Sequence, residues 1–322
     1  MTLQPITPTP AALQELQQNA ESARGYAENA RAINTRRAYR SDWRQFEAWC
    51  GLHGLAAMPA APATVGLHLA DMADMGKKPA TIQRRLVAIA YAHRLAGYDL
   101  DTRHPAIREV FAGIRRKKGT AQVQKRALLT EDVRAMARAL PSNAIGARDR
   151  ALLLLGFAGA LRRSELVALN VEDIEHQQAG IVLHIRRSKT DQDGEGQEIA
   201  IPYGQHEATC PVLALQTWLG AACIASGPVF RAVDRHGNIS PSRLTDRAVA
   251  LVVKRAATAA GLDPTNYAGH SLRSGMATSA ARAGADERSI MNQTRHRSVA
   301  MVRRYIQRGR LFMDCAAYQL GL

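Results

Sequence analysis

The chain is poor in cysteine: Cys50, Cys210, Cys223 and Cys315 are scattered along 322 residues with no Cys-x-x-Cys pair. That spacing excludes a zinc module and a disulfide framework, and leaves the four as separate thiols. Long apolar runs are also missing. The longest, Ala151 to Ala160, is about half of the eighteen or so residues that span a bilayer, so no membrane partner is expected. The first thirty residues lack a basic stretch followed by an apolar one, which excludes a secretory leader and implies a cytoplasmic protein. No internal repeat or low-complexity tract stands out.

Acidic residues are in short supply. Asp and Glu number 28 against 43 Lys and Arg, giving a formal charge of +15 and a pI near 10.2. This balance is the footprint of a polyanion binder, although ribosomal and membrane-surface proteins share it. A metal site finds little support. "DQDGEG" at 191 to 196 imitates the start of a calcium loop, but the position where a bidentate glutamate belongs is Pro202. "HEATC" at 206 to 210 offers two ligands and no second pair. No cofactor is implied.

Length and hydrophobic content suit two soluble domains. Residues 10 to 30 and 32 to 50 read as helices, the second with Tyr39, Trp43, Phe46, Trp49 and Cys50 on one apolar stripe and Asn34 or Thr35 as its cap. Two further helical segments follow Pro59 and Pro62, the second opening at a Thr81 cap and closing at Gly97. Residues 1–114 therefore form a helical domain, and "IRRKKGTAQVQKRA" makes 115–126 an exposed basic linker. Residues 127–322 mix types. "TEDVRAMARAL" starts a capped helix and "RDRALLLLGFAGAL" is a buried one. "IVLHIRR" and "QEIAIP" alternate like two strands of a hairpin, and from 211 the pattern is helical to the end. The fold class is mainly α with a small β-hairpin or sheet.

The residues able to do chemistry lie in the second domain. In "RHRSVAMVRRY", His296 precedes Tyr305 by nine residues, a separation that puts them on opposite faces of any single helix. The chain must turn between them, and Ser298 is a suitable cap for the helix that carries Tyr305. "GHSLRSG" sets His270 and Arg273 on one face of a helical turn, as two donors able to grip one phosphate. "ALRRSEL" pairs Arg162 with Glu165 at the same spacing, and the hairpin turn presents Lys189. Each feature alone is more often structural. Together they supply what phosphoryl transfer without a metal needs: cations for the non-bridging oxygens, a phenol to attack and an acid for the leaving oxygen.

These segments resemble the tyrosine recombinase (phage integrase) family, and the likeness extends through "SDWRQFEAWC" and "TIQRRLVAIAYAHRLAG" to nearly the whole chain. The resemblance implies a helical core-binding (SAM-like) domain and a mixed α+β catalytic domain forming a C-shaped clamp on DNA. It implies Tyr305 as nucleophile and Lys189 as general acid. Arg162, His270, Arg273 and His296 would act on the phosphate, with His270 the proton acceptor and Glu165 an orienting acid. One departure stands out: Arg295 occupies the place of the family's usual glycine.

The implied partner is double-stranded DNA carrying inverted-repeat sites, bound by four protomers on two duplexes. Arg36, Arg37, Arg84 and Arg85 on helical faces, with Arg243 and Arg247 on a third helix beginning "SPSRLTDRAV", are candidates for base contact. Arg115, Arg116, Lys117 and Lys118 of the linker are candidates for phosphate contact. About thirty residues before the first groove-reading helix are too few for an additional arm-binding domain. The apolar tail after Gly309, with Leu311, Phe312, Ala316, Leu320 and Leu322, suits docking on a neighbouring subunit or on its own domain. Two rival readings remain: an architectural DNA-binding protein on the same fold, and a type IB topoisomerase.

Overall fold

Proline sets the helix starts of the amino-terminal part. Helices α1 (Pro10–Asn29), α3 (Pro62–Asp74), α4 (Pro79–Leu95) and α5 (Pro105–Lys118) each begin on one, where the missing N–H has no intrahelical partner to lose. Between them lies α2 (Ile33–Leu52). The computed structural model describes residues 9–121, 125–186, 196–296 and 298–320. By internal contacts it divides into two compact units, residues 1–123 and 124–322.

In the first unit the apolar periods of α2 to α5 converge on Phe46, Val65, Leu69, Ile82, Ile89 and Ile107, all fully buried. Helices α3 and α5 pack so closely that a Cβ on Gly66 would lie 2.2 Å from the Ala106 carbonyl oxygen. The capping expectations need correction. Helix α2 starts after Ala32 and α4 after Lys78, with no side-chain cap, so Asn34, Thr35 and Thr81 lie inside the helices. For α4 the start is set by Pro79 instead.

The basic stretch expected as linker is helical in its first part. Arg115, Arg116, Lys117 and Lys118 form the last turn of α5, where cations complement the exposed carbonyl end of a helix. Burial of Ile107 and Ile114 holds this helix down, and Gly119, at φ 70°, ends it.

The second unit is built around α7 (Ala144–Ala158), flanked by α6 (Thr130–Ala139) and followed by α8 (Arg163–Ala168). The Leu152–Leu155 run is buried on every side, as its all-round apolar sequence requires. Three antiparallel strands follow in the order β1 (Ile174–Gln177), β2 (Gly180–Ile185) and β3 (Gln197–Pro202), with Leu183 opposite Ile199 and Ile181 opposite Ile201. These four side chains alternate inward and join the core. Strand β1 escapes a pattern reading because after Ile174 its three residues are polar and exposed.

Helix α9 (Pro211–Ala221) is capped by Cys210, whose sulfur accepts from the Leu213 and Gly204 N–H groups. The chain beyond 211 is not wholly helical. A two-stranded sheet, β4 (Arg231–Val233) and β5 (Ile239–Arg243), precedes α10 (Asp246–Ala259). Both strands are too short to show a period. Arg243 therefore ends a strand and does not share a helix with Arg247.

Helices α11 (His270–Arg282), α12 (Glu287–Thr294) and α13 (Val299–Gly309) complete the unit, around Ala277, Ala281, Ile290, Val302 and Tyr305. Gly309 serves contact here, since a Cβ would meet the Thr278 carbonyl oxygen at 2.6 Å. Beyond it, Leu311, Phe312, Met313 and Leu320 are exposed.

Candidate active site

His296 lies between two helices, in the connection from α12 to α13, and Tyr305 lies on α13, while the residue before His296, Arg295, ends α12. Arg295 caps α12 in the left-handed conformation, φ 53° and ψ 44°, and the chain reverses into α13 after Ser298. Tyr305 thereby returns toward His296, with ring centroids 5.7 Å apart. Its hydroxyl lies 3.3 Å from Nε2 of His270 at the start of α11. Tyr305 is 7% exposed, whereas His270 is open to solvent.

Arg273, one turn along α11, is buried to 1% exposure. Its Nη1 donates to the Ala160 carbonyl at 2.8 Å, and its Nη2 donates to the Thr294 carbonyl. Both carbonyls come from bends. Ala160 has a positive φ of 45°, and Thr294 is the last residue of α12. Arg162 is the N-cap of α8, and Glu165 holds it twice. One carboxylate oxygen accepts from the Arg162 backbone N–H at 2.9 Å and the other from Nη1 at 2.5 Å. Glu165 is also bonded by Arg295, whose Nη2 lies 2.9 Å from Oε2.

Two guanidiniums, those of Arg162 and Arg295, therefore bond one buried carboxylate, the third, Arg273, shares the Ala160 carbonyl with Arg295, and the local electrostatics follow. Burial opposes the charge on Glu165, but Arg295 and Arg162 together hold its carboxyl below the usual range. Burial and the neighbouring Arg162 and Arg295 bring the Arg273 guanidinium down to about 9, still protonated at neutral pH. Burial, with Arg273 and Arg162 close by, lowers the His296 imidazole to about 4, so its ring is neutral. Burial raises the Tyr305 phenol despite the pull of Arg273, Arg308 and Arg304, and the resting hydroxyl keeps its proton.

The tautomer of His296 follows from its neighbour. The Thr294 hydroxyl donates to the Ile290 carbonyl at 2.7 Å, so the 2.7 Å contact between Nδ1 and that hydroxyl is assigned as a bond donated by Nδ1–H. Nε2 of the neutral ring then bears the lone pair.

Six of the seven expected catalytic residues, Arg162, Glu165, His270, Arg273, His296 and Tyr305, thus belong to one hydrogen-bonded and ring-contact cluster. Lys189 and most of the "DQDGEG" turn lie outside the described residues. Among the described residues no group of three or more His, Cys, Asp or Glu could hold a metal, and no helix is long and apolar enough to cross a membrane.

The expected DNA-contact residues stand differently. Arg37, Arg84, Arg115, Arg116, Lys117, Lys118 and Arg247 are exposed and Arg36 is half-buried. Arg85 is turned inward: its Nε lies 3.6 Å from the buried Asp42 carboxylate, and Nη1 meets the Met72 sulfur. Arg84 also pairs with Asp42, at 2.6 Å. Arg243 donates to the Val167 and Leu169 carbonyls and to Asn170, which ties its guanidinium to the loop after α8. Two further contributors have no place in the expected set: Thr294, and Arg295 with its buried guanidinium. The only signal for Arg295 in the sequence is its departure from the family pattern.

Residues 126–310 match the model of the phage integrase family. The chain belongs to this family. A curated relative, the integrase/recombinase xerD homolog of Selenomonas ruminantium, is 43% identical over 90% of this chain and 86% of its own. The signature segments resemble those of recombinase cre of Escherichia phage P1, but over 82% of this chain and 81% of that protein the identity is 29%. The xerD homolog is thus the more similar of the two. Among solved structures, the Tn1549 transposon integrase in complex with transposon right-end DNA superposes with a TM-score of 0.60. That match covers 94% of this chain and 98% of the other at 16% identity, and so establishes the shared fold.

Proposed function

We propose that this tyrosine recombinase catalyses site-specific DNA strand exchange through a covalent 3′-phosphotyrosine intermediate, with neither metal nor nucleotide. Tyr305 Oη attacks a backbone phosphorus, the bond to the 5′ oxygen breaks, and the phosphate passes to the tyrosine. The phenol proton goes to His270 and a proton from Lys189 completes the free 5′ hydroxyl. A 5′ hydroxyl of the partner strand then attacks the phosphotyrosine and reverses these steps on a new junction. The observation that carries this reading is the 3.3 Å approach of the Tyr305 hydroxyl to His270, beside a buried Arg273.

Arg162 and Arg273 suit the non-bridging oxygens, whose charge grows in the transition state and for which preset donors are most effective. His296, neutral at rest, donates through Nε2 once phosphate charge stabilises its protonated form. Glu165 orients Arg162. The helical unit supplies core-site binding, for which the exposed cations of α2, α4 and α5 are available. Exposed Leu311, Phe312, Met313 and Leu320 support docking between protomers in a tetramer on two inverted-repeat sites. The place of action is cytoplasmic DNA, and the likeness of the signature segments to cre supports simple exchange between short sites.

The test uses nicked duplexes tiled across the native replicon, which trap the intermediate because the short 5′ fragment diffuses away. Wild-type protein is expected to form an adduct stable to denaturing electrophoresis, absent with Tyr305→Phe while DNA binding persists. Specific binding with no adduct overturns the reading in favour of an architectural protein. Relaxation of plasmids that lack the bound site overturns it in favour of a topoisomerase.

A further inference from the structure

Arg295 combines features that structural duty alone does not explain. Its left-handed backbone is a conformation that glycine and asparagine adopt readily and long side chains rarely. Its side chain is nevertheless drawn inward to 8% exposure. Nη2 reaches Glu165 at 2.9 Å and the Ala160 carbonyl at 3.3 Å, while Nε and Nη1 are buried with no acceptor. Burying a guanidinium with donors unpaired is unfavourable for folding, so the contact with Glu165 calls for another use.

We infer that Arg295 is a positioning residue of the active site: by taking one oxygen of Glu165 it keeps Arg162 fixed yet cationic toward the scissile phosphate. This rests on the recombinase reading above. Arg162, Arg273 and Arg295 against the single Glu165 leave two net positive charges in the cluster. A phosphodiester carries one negative charge, and its five-coordinate transition state carries two. Without Arg295, the carboxylate charge falls on Arg162 alone and the cluster matches only the ground state. Fixed charge aimed at the charge that develops accelerates the step, whereas charge matched to the substrate only binds it. In keeping with this, the charge of Arg295 is, with the bonds from Arg162, among the influences that hold Glu165 ionised against its burial. The carbonyl of Ala160 links the cluster, because it accepts from both Arg273 and Arg295.

Single-turnover cleavage of the nicked substrate tests this with Arg295→Gly, Arg295→Gln and Arg295→Lys. Glycine suits the left-handed backbone, so that variant separates loss of the guanidinium from strain of the turn. Gly and Gln are expected to slow cleavage by about tenfold to a hundredfold with site affinity within about twofold, and Lys to recover most of the rate. In a Glu165→Gln background the added cost of Arg295→Gln should largely vanish, since no carboxylate charge is left to share. A purely structural cap would show neither the recovery by Lys nor this coupling. Wild-type rates in Gly and Gln, or equal losses with and without Glu165, overturn the inference alone. A wild-type protein that forms no adduct overturns the recombinase reading and this inference with it.

Discussion

The Tyr305 hydroxyl sits 3.3 Å from Nε2 of His270, a residue 35 positions and two helices earlier in the chain. The pair sets the phenol, raised by burial, beside an imidazole nitrogen. The arginines behind it are held by backbone carbonyls and one shared carboxylate, so the site is set before DNA arrives.

Arg273→Lys tests that preorganisation. A lysine keeps the charge but cannot span the Ala160 and Thr294 carbonyls with a planar fork. Cleavage is expected to fall by about a hundredfold or more, with a smaller loss of site binding. Single-turnover rates beside gel-shift affinities check it; an unchanged rate would mean that charge alone suffices.

Thr294→Val removes the hydroxyl that accepts from His296 Nδ1 while keeping the volume. The imidazole loses its fixed orientation, and cleavage should slow by roughly tenfold. Stability should change by only about 1 kcal/mol, because one buried hydroxyl bond to Ile290 is lost. Parallel melting curves and adduct time courses separate the two effects.

Gly275→Ala should damage the fold rather than the chemistry. Its Cβ would stand 1.8 Å from the Leu128 carbonyl oxygen, a backbone atom that cannot step aside. A loss of about 2–3 kcal/mol is expected, seen as a lower Tm, with cleavage retained well below that temperature.

His68 supplies a pH-dependent term in the helical unit. It is 3% exposed, neither ring nitrogen has a partner, and burial brings it down to about 4. The unfolded chain binds its proton below about 6.5 while the folded chain does not, so stability falls as pH drops from about 6.5 to about 4. The expected loss is roughly 2–3 kcal/mol across that window. His68→Leu should flatten the acid limb in urea titrations between pH 4 and pH 7; an unaltered slope would assign it to other groups. His296 works in the same direction from the other unit, so some slope will remain.

Much of this protein could be read from residue order. Helical periods, the β2–β3 alternation, and the spacing of His270, Arg273, His296 and Tyr305 are local properties that a chain declares without its partners. The strands β1, β4 and β5 were not legible, because segments of three to five residues are too short to show a period. The surroundings of basic residues are equally hidden in the sequence, since what faces an arginine comes from elsewhere in the chain: Asp42 draws Arg85 inward, and three acceptors meet the exposed Arg243.

The sequence by itself determined the reactive groups and the need for a turn after His296. Tertiary structure decided which charges are buried together. Glu165 and Arg295 are 130 residues apart, and only the folded chain brings the carboxylate on α8 to 2.9 Å from the guanidinium of the residue that caps α12. Burial and ion pairing depend on such distant neighbours, and so the role of the one residue that breaks the family pattern emerges only from the folded chain.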